Sequence, residues 1–443
     1  MQTKREKLDY GMMLLPSLEQ FIPKDHYLRR LNRALDLDFV HEAVSGKYCQ
    51  DNGRPSVDPE VVIRLFLLQA IEGIASVRKL MQRVHVDLGY RWFIGYRVDE
   101  TLPDHSTLSR ALDRFGDEVF NELFVRSVSQ CQQSGLIEGK VLHLDATTIR
   151  ADLDANRVDK ADSPDKDARF GRFPGGKIKP GYKQHTLADG KKRVVVGVSV
   201  TPANIPDDSN MHEMVDDAID RLEQVPEAVC ADAAYGSGKN RAALAQRGVR
   251  LVSPPKQPKT YTGADQFTTE DFLYNESKDE FVCPAGKRLK YLGDEKERRH
   301  RRRYAALRSE CRVCSWKSCC TRYSRRELKV GVHHCALIEL RADSRTESFK
   351  RLYRSRAPVI EGVFAEAKQW HGLSRAWRRG LPKMLVQSLL VASVLNFKRL
   401  ATSIDDLCGL KTLFVTIAHA IRHILSVSHS WRMPLTPRPI TTE

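Results

Sequence analysis

At Lys140 the sequence changes its period, and this change limits the possible folds more than any other feature. From about Leu28 to Val128, apolar residues recur at spacings of three and four, as in VVIRLFLLQAIEGI and VFNELFVRSV, which is the stripe of an amphipathic helix. In PDHSTLSRALDRFG, Asp104 or Ser106 can cap a helix that stops near Gly116. From Lys140 the runs become short and β-rich. VLHLDATTI reads as an apolar strand, and YKQHTLADGKKRVVVGVSVT as a hairpin turning at Asp189-Gly190. Beyond Asp208 the sequence alternates: SNMHEMVDDAIDRLEQV as helix, EAVCADAA as strand, SGKNRAALAQRG as helix, VRLVS as strand. An α/β domain therefore follows an all-α one. Asp152 to Gly181, rich in Asp, Lys, Gly and Pro, reads as a long surface loop.

With 443 residues the chain can form two or three domains, and its formal charge of +16 sets up a field that attracts polyanions, nucleic acid first among them. Residues 287 to 326 hold 15 Lys or Arg against four Asp or Glu, so most of that excess sits in 40 residues. Helical patterning returns from Thr346 through Lys368, and again near Pro382 to Ala401 and Lys411 to Val427. The N-terminus lacks the apolar stretch of a signal peptide, and Leu385 to Phe397 is too short to span a bilayer, so a soluble cytoplasmic protein is expected. In that reducing compartment ten cysteines are thiols or metal ligands rather than disulfides.

Two acids stand where acids are costly. Asp145 lies in VLHLDATTI, on the face opposite Leu142 and Leu144, and Asp232 ends the strand in AVCADAAYG, where open α/β sheets place ligands. A third comes from YRSRAPVIEGVFAEAKQWHGLSRAWRRG. There Glu361 and Lys368 lie seven apart on one helical face, while Glu366 is turned about 140° from Glu361. Alternatively this segment is an amphipathic surface helix with incidental charges.

The ordered blocks PDHSTLSR, HLDATTIRA, GYKQHTLAD with TPANIPDD, ADAAYGS, and IEGVFAEAK with its later RRG resemble those of DDE transposases from bacterial insertion sequences, over most of Leu28 to Leu400. The resemblance implies a ribonuclease H-like mixed sheet flanked by helices, with an all-α N-terminal domain and a small basic insertion. It implies domains at 1–138 (DNA binding or dimerisation), 139–255 and 341–402 (the two parts of the catalytic domain), 256–340 (insertion) and 403–443 (C-terminal helix and tail). It also implies that Asp145, Asp232 and Glu361 hold two Mg2+ or Mn2+ ions for cleavage of the element's terminal inverted repeats and joining to target DNA by a homodimer. Lys368, Lys183, Arg375 and Arg378 would hold phosphates. One detail departs from the pattern: the tyrosine and arginine that in many members precede the glutamate by seven and four residues are replaced by Arg354 and Ala357, with Tyr353 and Arg356 displaced by one.

Cys311-x2-Cys314 has metal-ligand spacing, and Cys283 with Cys320 would complete a tetrahedral zinc site; Cys319 and the His333-His334-Cys335 group are further candidates, and plain reduced thiols the alternative. Arg301, Arg302 and Arg303 in the same insertion suggest a DNA contact, or equally a solvated basic surface. A helix from Asp104 to Phe115 would enter a groove of the transposon end, or serve packing. Trp370 and Trp377 are candidates for stacking on a base, or for core packing. The competing functions are a DNA-binding regulator derived from such an enzyme and a ribonuclease H-like nuclease without strand transfer.

Overall fold

The structure, a computed structural model, describes residues 17–48, 56–256, 267–295 and 301–429, with side chains of the last helix described as far as Asp405. The chain divides into two compact units, one formed by Met1–Leu136, Trp370–Gly372 and Leu389–Glu443, the other by Ile137–Gln369 and Leu373–Ser388.

The first unit is helical. It contains α1 (Leu18–Phe21), α2 (Tyr27–Ala34), α3 (Val40–Ser45), α4 (Pro59–Ile71), α5 (Val77–Val86), α6 (Leu88–Ile94), α7 (His105–Phe115) and α8 (Glu118–Gln133). The capping signals act as the sequence predicts: the Asp104 carboxylate accepts from the Ser106 N–H at the start of α7, and Gly116, with φ +70°, ends it. Leu28, Ile63, Phe66, Phe115, Phe120 and Phe124 fill the core, each fully buried side chain contributing about 1.5–3 kcal/mol.

The second unit holds a mixed sheet in the order β4–β3–β1–β5–β6. Its strands are β1 (Val141–Arg150), β3 (Ile178–Asp189), β4 (Val195–Pro202), β5 (Ala228–Cys230) and β6 (Arg250–Val252). β3 is antiparallel to β1 and β4, and β1, β5 and β6 run parallel through α9 (Met211–Leu222) and α10 (Gly238–Ala245). Leu142, His143 and Leu144 are all buried, so β1 is covered on both faces and its alternation is masked.

Between β6 and the late helices a second sheet, β11–β10–β9–β8–β7, forms from β7 (Leu273–Asn275), β8 (Glu280–Val282), β9 (Arg288–Glu295), β10 (Arg301–Ala305) and β11 (Glu327–Gly331). It carries α11 (Arg308–Arg312) and α12 (Lys317–Cys320) and its own core of Phe272, Phe281, Leu289, Tyr304, Leu328 and Val330. α13 (His334–Ser344) and α14 (Glu347–Trp370) follow, then α15 (Leu381–His429).

Four expectations change. The stretch from Asp152 to Gly181 is not all loop: β2 (Arg169–Arg172) pairs with β3, and buried Asp165 accepts from the Tyr182 hydroxyl at 2.5 Å and from the N–H groups of Asp167 and Ala168. The two expected C-terminal helices are one continuous helix, because no Pro lies between them and the one glycine there, Gly409, costs a helix interior only about 1 kcal/mol. From Leu389 it belongs with the helical unit, where the Asn396 amide donates to the Ser127 hydroxyl, rather than with the catalytic part expected at 341–402. Leu381–Asp405 is in fact long and apolar enough to cross a membrane, but 83% of its most apolar window is buried, as in a core helix.

Candidate active site

The parallel register sets the geometry. His143 of β1 pairs with Cys230 of β5. Two residues beyond that last pair come Asp145, in the middle of β1, and Asp232, in the turn just after β5, so the acids belong to neighbouring strands, whose spacing is about 4.8 Å. Asp232 caps a tight turn, its carboxylate accepting from the Ala234 N–H at 2.9 Å. Gly236 closes that turn, since a Cβ there would overlap the Pro254 carbonyl.

Asp145 is 20% exposed, accepts from the Ala146 N–H at 2.8 Å and forms an ion pair with Arg356 at 3.2 Å. Burial pushes its pKa up to about 6; Arg356 and the Ala146 N–H oppose the rise, and the neighbouring charges of Asp232 and Asp207 add to it. His143, on the same face, is held neutral by burial, with a pKa lowered to about 4. Tyr235 is wholly buried, its hydroxyl has no hydrogen-bond partner among the described residues, and burial with the charges of Asp145, Asp207 and Asp232 pushes its pKa up.

Glu361 lies on the exposed face of α14, and Lys368, two turns on, is half-buried, with burial pushing its pKa down. α14 reaches the strand ends through Arg356, and through the Leu352 carbonyl, which accepts from the Cys230 thiol at 3.6 Å. Glu361 does not join Asp145 and Asp232 as a ready three-ligand group: among the described residues no three His, Cys, Asp or Glu side chains stand close enough to hold a metal. On an ideal helix Glu361 is turned about 140° from Arg356, the residue that faces Asp145.

The other candidates occupy varied settings. The Lys183 ammonium donates to Asp207 and to the Ile205 carbonyl, both at 2.6 Å, and is largely covered. Arg375 pairs with Asp152, and its segment runs beside the end of β1, where the Ala376 N–H donates to the Arg150 carbonyl. Arg378 is half-buried. Arg302 pairs with Asp279 and Arg303 with Glu327, while Arg301 stands opposite Gly331 on β10. Trp370 is exposed and Trp377 half-buried. Cys283, Cys311, Cys314 and Cys320 line one small void, whereas Cys319 is exposed and His334 packs on Tyr274 and Phe281.

Asp207 escaped a reading of sequence alone, and Arg356 was seen there only as displaced from the family position, without a role. Arg356 is out of register with the family pattern, and Asp207 sits in TPANIPDD, a recognisable block in which nothing singles out one acid.

Two family models match the chain, a transposase domain over residues 16–114 and a transposase DDE domain over residues 282–401. Over these two segments the chain is similar to transposases, the second of them to transposases of the DDE type. The structure of piggyBac transposase in a synaptic complex with hairpin DNA aligns over 86% of this chain and 76% of that one, at 11% identity and a TM-score of 0.38. That of Mos1 transposase in a paired-end complex with the left transposon end aligns over 55% and 69%, at 13% identity and a TM-score of 0.17. No curated protein matches the sequence.

Proposed function

We propose that this transposase cleaves DNA at the ends of an insertion sequence and joins the freed 3′ ends to target DNA by in-line phosphoryl transfer at Asp145, Asp232 and Glu361. The observation that carries the proposal is that Asp145, in the middle of β1, and Asp232, just past the end of the neighbouring β5, each lie two residues beyond the paired His143 and Cys230, with α14 brought alongside by Arg356. The donor set fits hard divalent cations: Asp145 carries oxygen donors within the charge of Asp232 and Asp207, burial raises its pKa to about 6, and Arg356 is the cation paired with it. Mg2+ or Mn2+ bound there would supply activation of the attacking hydroxyl and stabilisation of the leaving oxygen.

The chain's own groups have separate tasks. Asp145 and Asp232 form a fixed wall on the rigid sheet, and Glu361 supplies the third carboxylate from an exposed helix face. Arg356 neutralises Asp145 when no cation does so. Lys368, on the face of Glu361, positions a backbone phosphate as a cation, joined by Arg375 and Arg378 at the end of β1. Joining two ends in one event calls for a homodimer, acting in the cytoplasm on double-stranded DNA, with α7 reading the terminal repeats.

Asp145→Asn, Asp232→Asn and Glu361→Gln should each lower cleavage and joining of terminal-repeat DNA at least about a thousandfold, some 4 kcal/mol of barrier, with DNA binding retained. Normal cutting by any of them would remove that acid from the site; wild-type protein that binds the ends without cutting would favour a regulator.

A further inference from the structure

We infer that the small sheet holds one structural zinc ion through Cys283, Cys311, Cys314 and Cys320. These thiols are free, far apart in sequence, and gathered around a single void of about 20 Å³, room for one water-sized sphere, closed on other sides by Leu289 and Ala306. Four soft sulfur donors around one such space are the ligand set of a closed tetrahedral zinc site.

The backbone around the cysteines is already shaped for ligation. In the turn between β8 and β9, the Cys283 N–H donates to the Lys287 carbonyl and the Gly286 N–H to the Cys283 carbonyl, both at 2.8 Å. Gly286 takes a φ of +73°, and the Lys287 N–H points at the Cys283 sulfur at 3.3 Å. An N–H aimed at sulfur stabilises a thiolate. Cys311 lies on α11, Cys314 two residues beyond it, and Cys320 at the end of α12, its carbonyl held by Arg326 at 2.7 Å. As placed, the sulfurs are too far apart to make a finished site. Closure falls to binding, with the four thiols releasing four protons and leaving a centre of net charge −2 among three cations, Lys287, Lys317 and Arg326, and one acid, Glu310.

The sheet has reason to need the ion. Its buried core is seven residues, a size at which small folds take a staple. The inference is independent of the phosphoryl-transfer chemistry and is read without DNA or magnesium.

The test is metal content of the full chain purified under reducing conditions and reconstituted with zinc, together with the visible absorption after cobalt substitution. One zinc per chain and the spectrum of tetrahedral cobalt bound by four thiolates are expected. Cys311→Ser, Cys314→Ser and Cys320→Ser should lose most of the zinc, while Cys319→Ser and Asp145→Asn keep it. Should the cysteine variants fail to fold, the wild-type cobalt spectrum still decides. Wild-type protein without bound zinc, a cobalt spectrum lacking thiolate charge transfer, or zinc retained in Cys311→Ser or Cys320→Ser would overturn the assignment.

Discussion

The acid cluster and the cysteine cluster differ in how complete they are. The cysteines face inward on turns of a small sheet, around a void with no room for substrate. The acids are less gathered: Asp145 sits within β1 and Asp232 just beyond β5, the third is on an exposed helical face, and Arg356 pairs with Asp145. A closed ligand set suits stability and an open one suits chemistry, because a reacting phosphate must share the ligand sphere. The acid cluster should therefore be under electrostatic stress, and the cysteine cluster should depend on its sheet.

The largest effect should come from the sheet beneath the cysteines. Phe281→Ala empties a fully buried ring and should cost about 3–5 kcal/mol. Hydrogen exchange should show lost protection across β7 to β11 with β1, β5 and β6 preserved; loss across both sheets would merge the two regions into one. Next, Arg356→Gln should slow cleavage about 10–100-fold, roughly 1.4–2.7 kcal/mol. Arg356 lowers the Asp145 pKa, so its removal should also move the acid limb of the pH–rate profile upward, which a merely structural residue would not do.

Asp145→Asn should stabilise the metal-free protein, the opposite of an ordinary buried substitution. The folded pKa, about 6, lies above the ordinary 3.8, so the penalty for ionising Asp145 begins near 3.8 and is complete above about 6. Melting in chelator should place the variant about 1–3 kcal/mol above wild type at neutral pH, the gap closing toward pH 4; a gap independent of pH would show that Asp145 is not stressed. The smallest effect should be in the salt dependence of DNA binding. Arg301→Ala should reduce the slope by about one, whereas Lys183→Ala, whose ammonium is tied to Asp207, should leave it nearly unchanged.

Much of the fold was legible because it depends on local pattern. The switch of period at Lys140, the cap at Asp104 and the turn at Asp189-Gly190 each follow from residues close in sequence. β2 was hidden because four residues between turns carry no period, and only pairing with β3 and the burial of Asp165 define it. The destination of α15 was hidden for a different reason. Its apolar face shows that it is buried, but not against which partner.

The same division holds for the candidate site. By itself the sequence determined that two acids stand in costly places, that Glu361 and Lys368 share a helical face, and that a CxxC pair lies in a basic insertion, since spacing and residue type fix these locally. Tertiary structure alone decided that the strands leading to Asp145 and Asp232 are parallel neighbours, that Arg356 rather than its neighbours meets Asp145, and that Cys283 joins cysteines some 30 residues away. Strand register, helix rotation and loop return are set by which distant surfaces are buried together, and that free energy is not carried by any one stretch of the chain.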